Sequence, residues 1–163
     1  YARSIAELYD HMMEEGYPAP ELYGLLLSTM RAIESAQPAD LEKIYVSFAL
    51  KFLALMGYAV ELDHCVKCGD ESDSLVWISP KLGGIVCTAC RLEATDAIQV
   101  SLGIVQVMRR LFRSNFRMVS SLRVQSRDLQ IIRRAIRDSI ELQLSSPLRS
   151  MDFLESMISG QPS

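Results

Sequence analysis

No stretch of the sequence is long and apolar enough to cross a membrane: the longest uncharged run, Ala97 to Met108, has 12 residues and contains Gln99, Ser101 and Gln106, where a spanning helix needs about 20 apolar residues. The sequence has no basic, apolar, small-residue leader, and it opens on Tyr1 rather than methionine, so a cytosolic fragment with its own N-terminus further upstream is expected. Cysteine is scarce, with four in 163 residues, and so are histidine, with two, and tryptophan, with one; a disulfide-dense scaffold is excluded. There is no Gly-rich phosphate loop, no paired acid/base site and no histidine or carboxylate set for an open metal position, which argues against an enzyme, including a kinase with a zinc lid. Acidic residues thin out late in the chain. Between Arg109 and Arg137 nine arginines face the single Asp128.

Hydrophobic residues at 49% and charged residues at 23% are ordinary globular usage, enough for one domain, or for a helical domain carrying a small insert. The net charge of −3 hides a polarity. Residues 1–98 carry 7 basic and 15 acidic side chains, and residues 99–163 carry 10 and 5. Such asymmetry points to a polyanionic partner, or to the two halves facing each other.

Helical spacing dominates. Ile5, Leu8, Tyr9, Met12 and Met13 recur behind Ser4 as N-cap, and Gly16, Pro18 and Pro20 end the segment. A second helix opens at Glu21 with Leu22, Leu25, Leu26, Met30 and Ile33 on one side. The third, from about Asp40 to Met56 before Gly57, is apolar nearly all round and reads as the central helix of a bundle. Leu75–Ile78 and Ile85–Cys87 read as two strands around a turn-rich loop. Helices are then expected over about Leu102–Ser114, Arg127–Leu144 and Ser150–Met157, with a Ser-rich connection between the first two. The fold class is mainly α, a helical bundle with an inserted four-cysteine zinc hairpin. Residues 1–61 give the first helices, 62–91 the zinc-binding insert and 92–163 the later helices of the same domain.

Cys65-Val66-Lys67-Cys68 and Cys87-Thr88-Ala89-Cys90 stand eighteen residues apart. Two residues between cysteines let one tight turn offer both sulfurs to one metal, and two such turns make a tetrahedral zinc cage. Gly69 falls where a knuckle needs positive φ. Disulfides fit poorly with a cytosolic-looking chain, a redox pair lacks its βαβ context, and four cysteines saturate the ion and leave no catalytic position. One structural Zn2+ is expected, supplying the folding energy that two short strands cannot. His64 reads as a polar loop side chain rather than an alternative ligand, His11 as surface or core filler, and Trp77 as cover for the small core beside the metal rather than a base-stacking platform.

On the helix from Leu102, Ile104, Val105, Val107, Met108, Leu111 and Phe112 share one arc, while Gln106, Arg109, Arg110 and Arg113 share the other, joined by Arg117 if the helix continues. None of these arginines has an acid three or four positions away, so the row asks for an external anion, either carboxylates elsewhere in the chain or a partner's phosphates. The later helix is expected to spend its charge locally, Arg134 on Asp138 and Arg137 on Glu141. An alternative role is a scaffold binding an acidic, apolar-ended tail, with Met108, Phe112 and Met118 as adaptable contacts.

Taken in order, Phe48 to Tyr58, then Leu62-Asp63-His64-Cys65-Val66-Lys67-Cys68-Gly69, then Ile78-Ser79-Pro80, Gly83-Gly84 and the second Cys-x-x-Cys resemble the RecO family of bacterial DNA repair proteins. The resemblance runs over essentially the whole chain and corresponds to the family's C-terminal helical and zinc-binding part. It implies a non-catalytic recombination mediator of the RecFOR pathway that binds single- and double-stranded DNA and anneals strands. It also implies contact with the tail of single-stranded-DNA-binding protein, work with RecR to load RecA, and residence in the bacterial cytoplasm at the nucleoid. Arg109-Arg110 falls where the family's basic helix contributes to DNA contact. The family's oligonucleotide-binding β-barrel is expected upstream, and nothing in these residues resembles it.

Overall fold

The structure, a computed structural model, describes residues 1–14, 20–71 and 75–143, with the side chains of residues 11–14 outside the description. Six helices and a three-stranded sheet make up the described residues: α1 (Ala2–Glu14), α2 (Pro20–Ser35), α3 (Leu41–Leu55), β1 (Leu75–Ser79), β2 (Gly84–Cys87), β3 (Ile98–Ser101), α4 (Leu102–Arg113), α5 (Phe116–Ser121) and α6 (Ser126–Gln143). The mainly α reading holds. The expected Ser150–Met157 helix, Gly16 and Pro18 lie outside the described residues, as does the side chain of His11.

Helix α3 is the hub the sequence predicted. Every residue from Lys43 to Leu50 is buried, with Phe52 and Leu53, and the other helices surround it. Burying a helix on all sides leaves its polar groups to find partners inside. The Lys43 ammonium donates to the carbonyls of Ser120 at 2.8 Å and Leu122 at 2.9 Å, and it pairs with Asp40 at 2.8 Å. Ser47 Oγ and Lys51 Nζ both donate to the Leu111 carbonyl, at 2.7 and 2.8 Å. Two lysines of the hub, Lys43 buried and Lys51 half-buried, thus satisfy carbonyls that α4 and α5 leave open at their C-terminal ends, where positive charge also meets the helix dipole favourably.

Several boundaries differ from the sequence reading for local reasons. Ser4 is no cap: α1 starts at Ala2, and Ser4 lies buried inside the helix. Pro20 opens α2 instead of only ending the previous segment, as its fixed φ and missing N–H allow at a first turn. The chain breaks after Arg113 because Ser114 turns extended, and Asn115 then caps α5 by accepting from the Met118 amide at 3.0 Å. Arg117 therefore sits on a separate helix, and the continuous row Arg109, Arg113, Arg117 does not form.

The sheet has the order β2-β1-β3, antiparallel throughout. Its third strand was not foreseen. Side chains alternate across it: Val76, Ile78, Ile85 and Val100 join the main core with the helices, while Trp77 and Val86 turn to the other face and pack with Cys65 and Ala94. The β1–β2 turn is held by Asp96, whose carboxylate accepts from Ser79 Oγ and the Lys81 amide, both at 2.8 Å. No helix among the described residues is long and apolar enough to cross a membrane.

Candidate metal centre and the arginine face beside it

The segment from Glu61 to Cys68 runs along the edge of β2. Glu61 accepts from the Ile85 amide at 2.9 Å and donates its own amide to Gly83 at 2.8 Å, and the Val66 amide reaches the Ile85 carbonyl at 2.9 Å. Gly84 makes this approach possible: a Cβ there would lie 2.6 Å from the Glu61 carbonyl oxygen, closer than atoms pack. Within the turn, Gly69 takes φ of +80°, as expected, and returns its amide to the Cys65 carbonyl at 2.8 Å.

These constraints bring all four cysteine sulfurs within 4.8 Å of one another. They are free thiols. Cys68 Sγ and Cys87 Sγ stand 3.8 Å apart, and a zinc tetrahedron with arms of about 2.3 Å has edges of about 3.8 Å, so the donor set and its spacing fit such an ion. The Cys87 amide donates to Cys65 Sγ at 3.4 Å. Burial resists ionisation of Cys65, but amide donors from Cys87, Cys68 and Lys67 outweigh it and bring its thiol down to about 6. Cys90 is pushed the other way, up to about 12, by its thiol hydrogen bond with Cys87, then by burial and the neighbouring Cys68 and Cys65 sulfurs. The Cys65 thiolate thus forms readily while the Cys68 and Cys90 thiols are held above their ordinary range, a balance that a bound cation reverses. His64 is outside the cluster, half-exposed, with Nε2 3.8 Å from Glu71. Trp77 is 9% exposed and covers the small core, with the Arg91 guanidinium 5.3 Å over its ring.

The sequence-predicted arginines divide. Arg109 donates through Nε and Nη2 to the Leu62 carbonyl, and its Nε is 2.9 Å from Asp63 Oδ1. Arg113 Nη2 holds the other oxygen, Asp63 Oδ2, at 2.9 Å. The anion these two demand is therefore supplied from within the chain. Arg110 and Arg117 are exposed and form no ion pair among the described residues. On α6, Arg137 pairs with Glu141 at 2.7 Å, as predicted, whereas Arg134 makes no such pair among the described residues. Arg133 is buried instead and reaches Glu42 at 3.3 Å. Met108 is fully buried, which removes it as a surface contact, while Phe112 and Met118 are exposed.

Sequence reasoning gave no role to Asp63, Arg133 or Lys51. Asp63 stood in the quoted Leu-Asp-x-Cys string, and Arg133 fell between Leu129 and Ile136 at core spacing, so both left a signal. Lys51 lines a cavity of about 810 Å³ between α2, α3 and α5, together with Arg31, Arg117, Leu25, Ala32 and Phe116. Burial brings its amine down to about 8.

A helical bundle that carries a small antiparallel sheet, a four-thiol cluster at the sheet's end and a cationic helix running straight out of it define a mainly helical protein with four cysteines placed to hold a metal ion. The family follows from comparison. The model described as "Recombination protein O C terminal" matches residues 1–152, and the chain belongs to that family. It is similar to proteins named "DNA repair protein RecO": that of Pelotomaculum thermopropionicum, 31% identical over 155 residues, 95% of this chain and 59% of the relative; that of Symbiobacterium thermophilum, 30% over 164 residues, 99% and 64%; and that of Desulfitobacterium hafniense, 31% over 154 residues, 91% and 55%. The chain spans roughly three-fifths of the length of these relatives.

Proposed function

We propose that this chain is a non-catalytic binding module of a RecO-type DNA repair and recombination mediator. In this reading Cys65, Cys68, Cys87 and Cys90 hold one structural Zn2+, and an arginine surface beside it meets the phosphates of single- and double-stranded DNA. The metal supplies folding energy to the sheet's outer face and no chemistry on a covalent bond. The observation that carries the DNA reading is the pair of exposed arginines, Arg110 and Arg117, with no carboxylate partner among the described residues, in a chain whose relatives are named DNA repair proteins. Arg113 joins them with its exposed donors, since one nitrogen alone is engaged by Asp63. Arg109 contributes least, because its guanidinium is already occupied. On this reading the protein works in the bacterial cytoplasm at the nucleoid, with RecR, in strand annealing and RecA loading.

A second partner is supported by the cavity between α2, α3 and α5. Three cations, Arg31, Lys51 and Arg117, stand over the apolar Leu25, Ala32 and Phe116 with no acid in the lining. That chemistry suits an acidic tail ending in an apolar side chain, such as the C-terminal tail of single-stranded-DNA-binding protein.

One titration series on the full-length protein separates the two readings. For three phosphates neutralised on a single strand, log K for a labelled oligonucleotide falls with log salt at a slope of about −2. The pair of substitutions Arg110→Glu and Arg113→Glu lowers that affinity at least tenfold and flattens the slope, while leaving binding of the tail peptide unchanged. Arg31→Glu does the reverse. Unchanged oligonucleotide affinity in the Arg110/Arg113 variant overturns the DNA reading.

A further inference from the structure

Arg109 occupies an unusual place for a residue on a cationic face. Its side chain is 29% exposed, against 65% for Arg113, and it points at the segment that leads into the first cysteine turn. Nε and Nη2 both donate to the carbonyl of Leu62, a residue whose side chain is in the main core, and the same guanidinium pairs with Asp63. From the far side, Glu61 braces that turn by accepting from the amides of Asp63 at 2.6 Å and His64 at 3.1 Å. Cys65 is the next residue. It is the most buried of the four cysteines, and its sulfur accepts from the Cys87 amide of the second turn.

We infer that Arg109 is a positioning residue of the metal centre: through the Leu62 carbonyl and the Asp63 carboxylate it fixes the entry of the Cys65–Cys68 turn against α4, so that metal retention depends on a side chain with no atom in the thiol cluster. The inference rests on the reading that the four cysteines hold zinc. A guanidinium suits this task because its planar fork satisfies a carbonyl and a carboxylate together, which a lysine ammonium does so less well. The polar neighbours of metal sites commonly govern affinity by 10–100-fold, and here the neighbour acts on backbone rather than on a ligand atom. While the turn is docked, the Asp63 carboxylate and the Leu62 carbonyl together occupy Nε and Nη2 of Arg109, and nucleic-acid contact falls to the arginines around it.

The test is the rate at which the zinc-loaded full-length protein yields its metal to a chromophoric chelator, together with thiolate-to-metal charge transfer on substitution with Co2+. Arg109→Gln should release zinc on the order of tenfold faster, Asp63→Asn also faster, and Arg109→Lys between wild type and Arg109→Gln. Two variants calibrate the result: Arg134→Gln, exposed and unpaired among the described residues, should release at the wild-type rate, and Leu129→Ala, in the core of α6, should lower the melting temperature without matching the faster release. Should Arg109→Gln and Asp63→Asn both keep the wild-type rate while wild type holds one zinc per chain, the inference is overturned and the zinc reading stands. A wild-type protein that takes up no metal overturns both.

Discussion

At Arg133 the chain buries a guanidinium that its helical spacing would have placed among Leu129, Ile132 and Ile136. It is 8% exposed, and its nearest acid is Glu42 of α3, with Nη1 at 3.3 Å from Oε1. Burial raises the pKa of Glu42, and the Arg133 charge opposes that rise. A pair of this kind adds little when compared with two apolar side chains, yet breaking it leaves an uncompensated buried charge. Replacing Glu42 with Ala should therefore cost about 3 kcal/mol in urea unfolding, and the double change Glu42→Leu with Arg133→Met should recover most of it. A loss below about 1 kcal/mol, as for an exposed pair, would show that water reaches the guanidinium. For Arg109 the sequence left open a carboxylate elsewhere in the chain or a partner's phosphates, because Asp63 is 46 positions away and only the fold brings helix and turn together.

Among the elements, legibility followed length and periodicity. Helix α3 stood out because apolar residues circle it, and α4 and α6 because their apolar arcs persist over three or more turns. Strand β3 was hidden because its four residues run without punctuation into α4, so that strand alternation and helical period merge in one uncharged stretch. Helix α5, six residues long, has too few turns to display a period, although Asn115 marked its start. Both cysteine turns were readable because two residues between cysteines is a spacing set by local turn geometry and metal-ligand chemistry rather than by packing. The sheet's outer face, with Trp77, Val86, Cys65 and Ala94, has almost no apolar mass of its own, so chelation should release it first. Trp77 is the single tryptophan of the chain. Its emission should shift to the red on metal removal and return on adding zinc, while far-UV circular dichroism keeps most of its helical signal; an unshifted spectrum in metal-free protein would refute this.

In the whole molecule, polarity of charge is partly resolved inside the fold. Late arginines meet early acids at Arg109 and Arg113 with Asp63, and at Arg133 with Glu42, so the acidic and basic halves do face each other at these points, and the arginines left over mark the surface available to a partner. One core runs from Ile5 through the sheet's inner face to Ile140. The zinc-loaded protein should accordingly unfold in one transition, with tryptophan emission and circular dichroism giving coincident curves; separated midpoints would show that the sheet melts on its own. Ser101 pairs with Leu75 as the last residue of β3 and, through Oγ, accepts from the Ile104 amide at 3.3 Å as the first cap of α4. Strand and helix share that one residue with no linker between them. A ligand that tilts the helix should therefore rotate the sheet with it, and a fluorophore on the sheet would register, as a change in angle, an event taking place at the far end of α4 on the arginine surface.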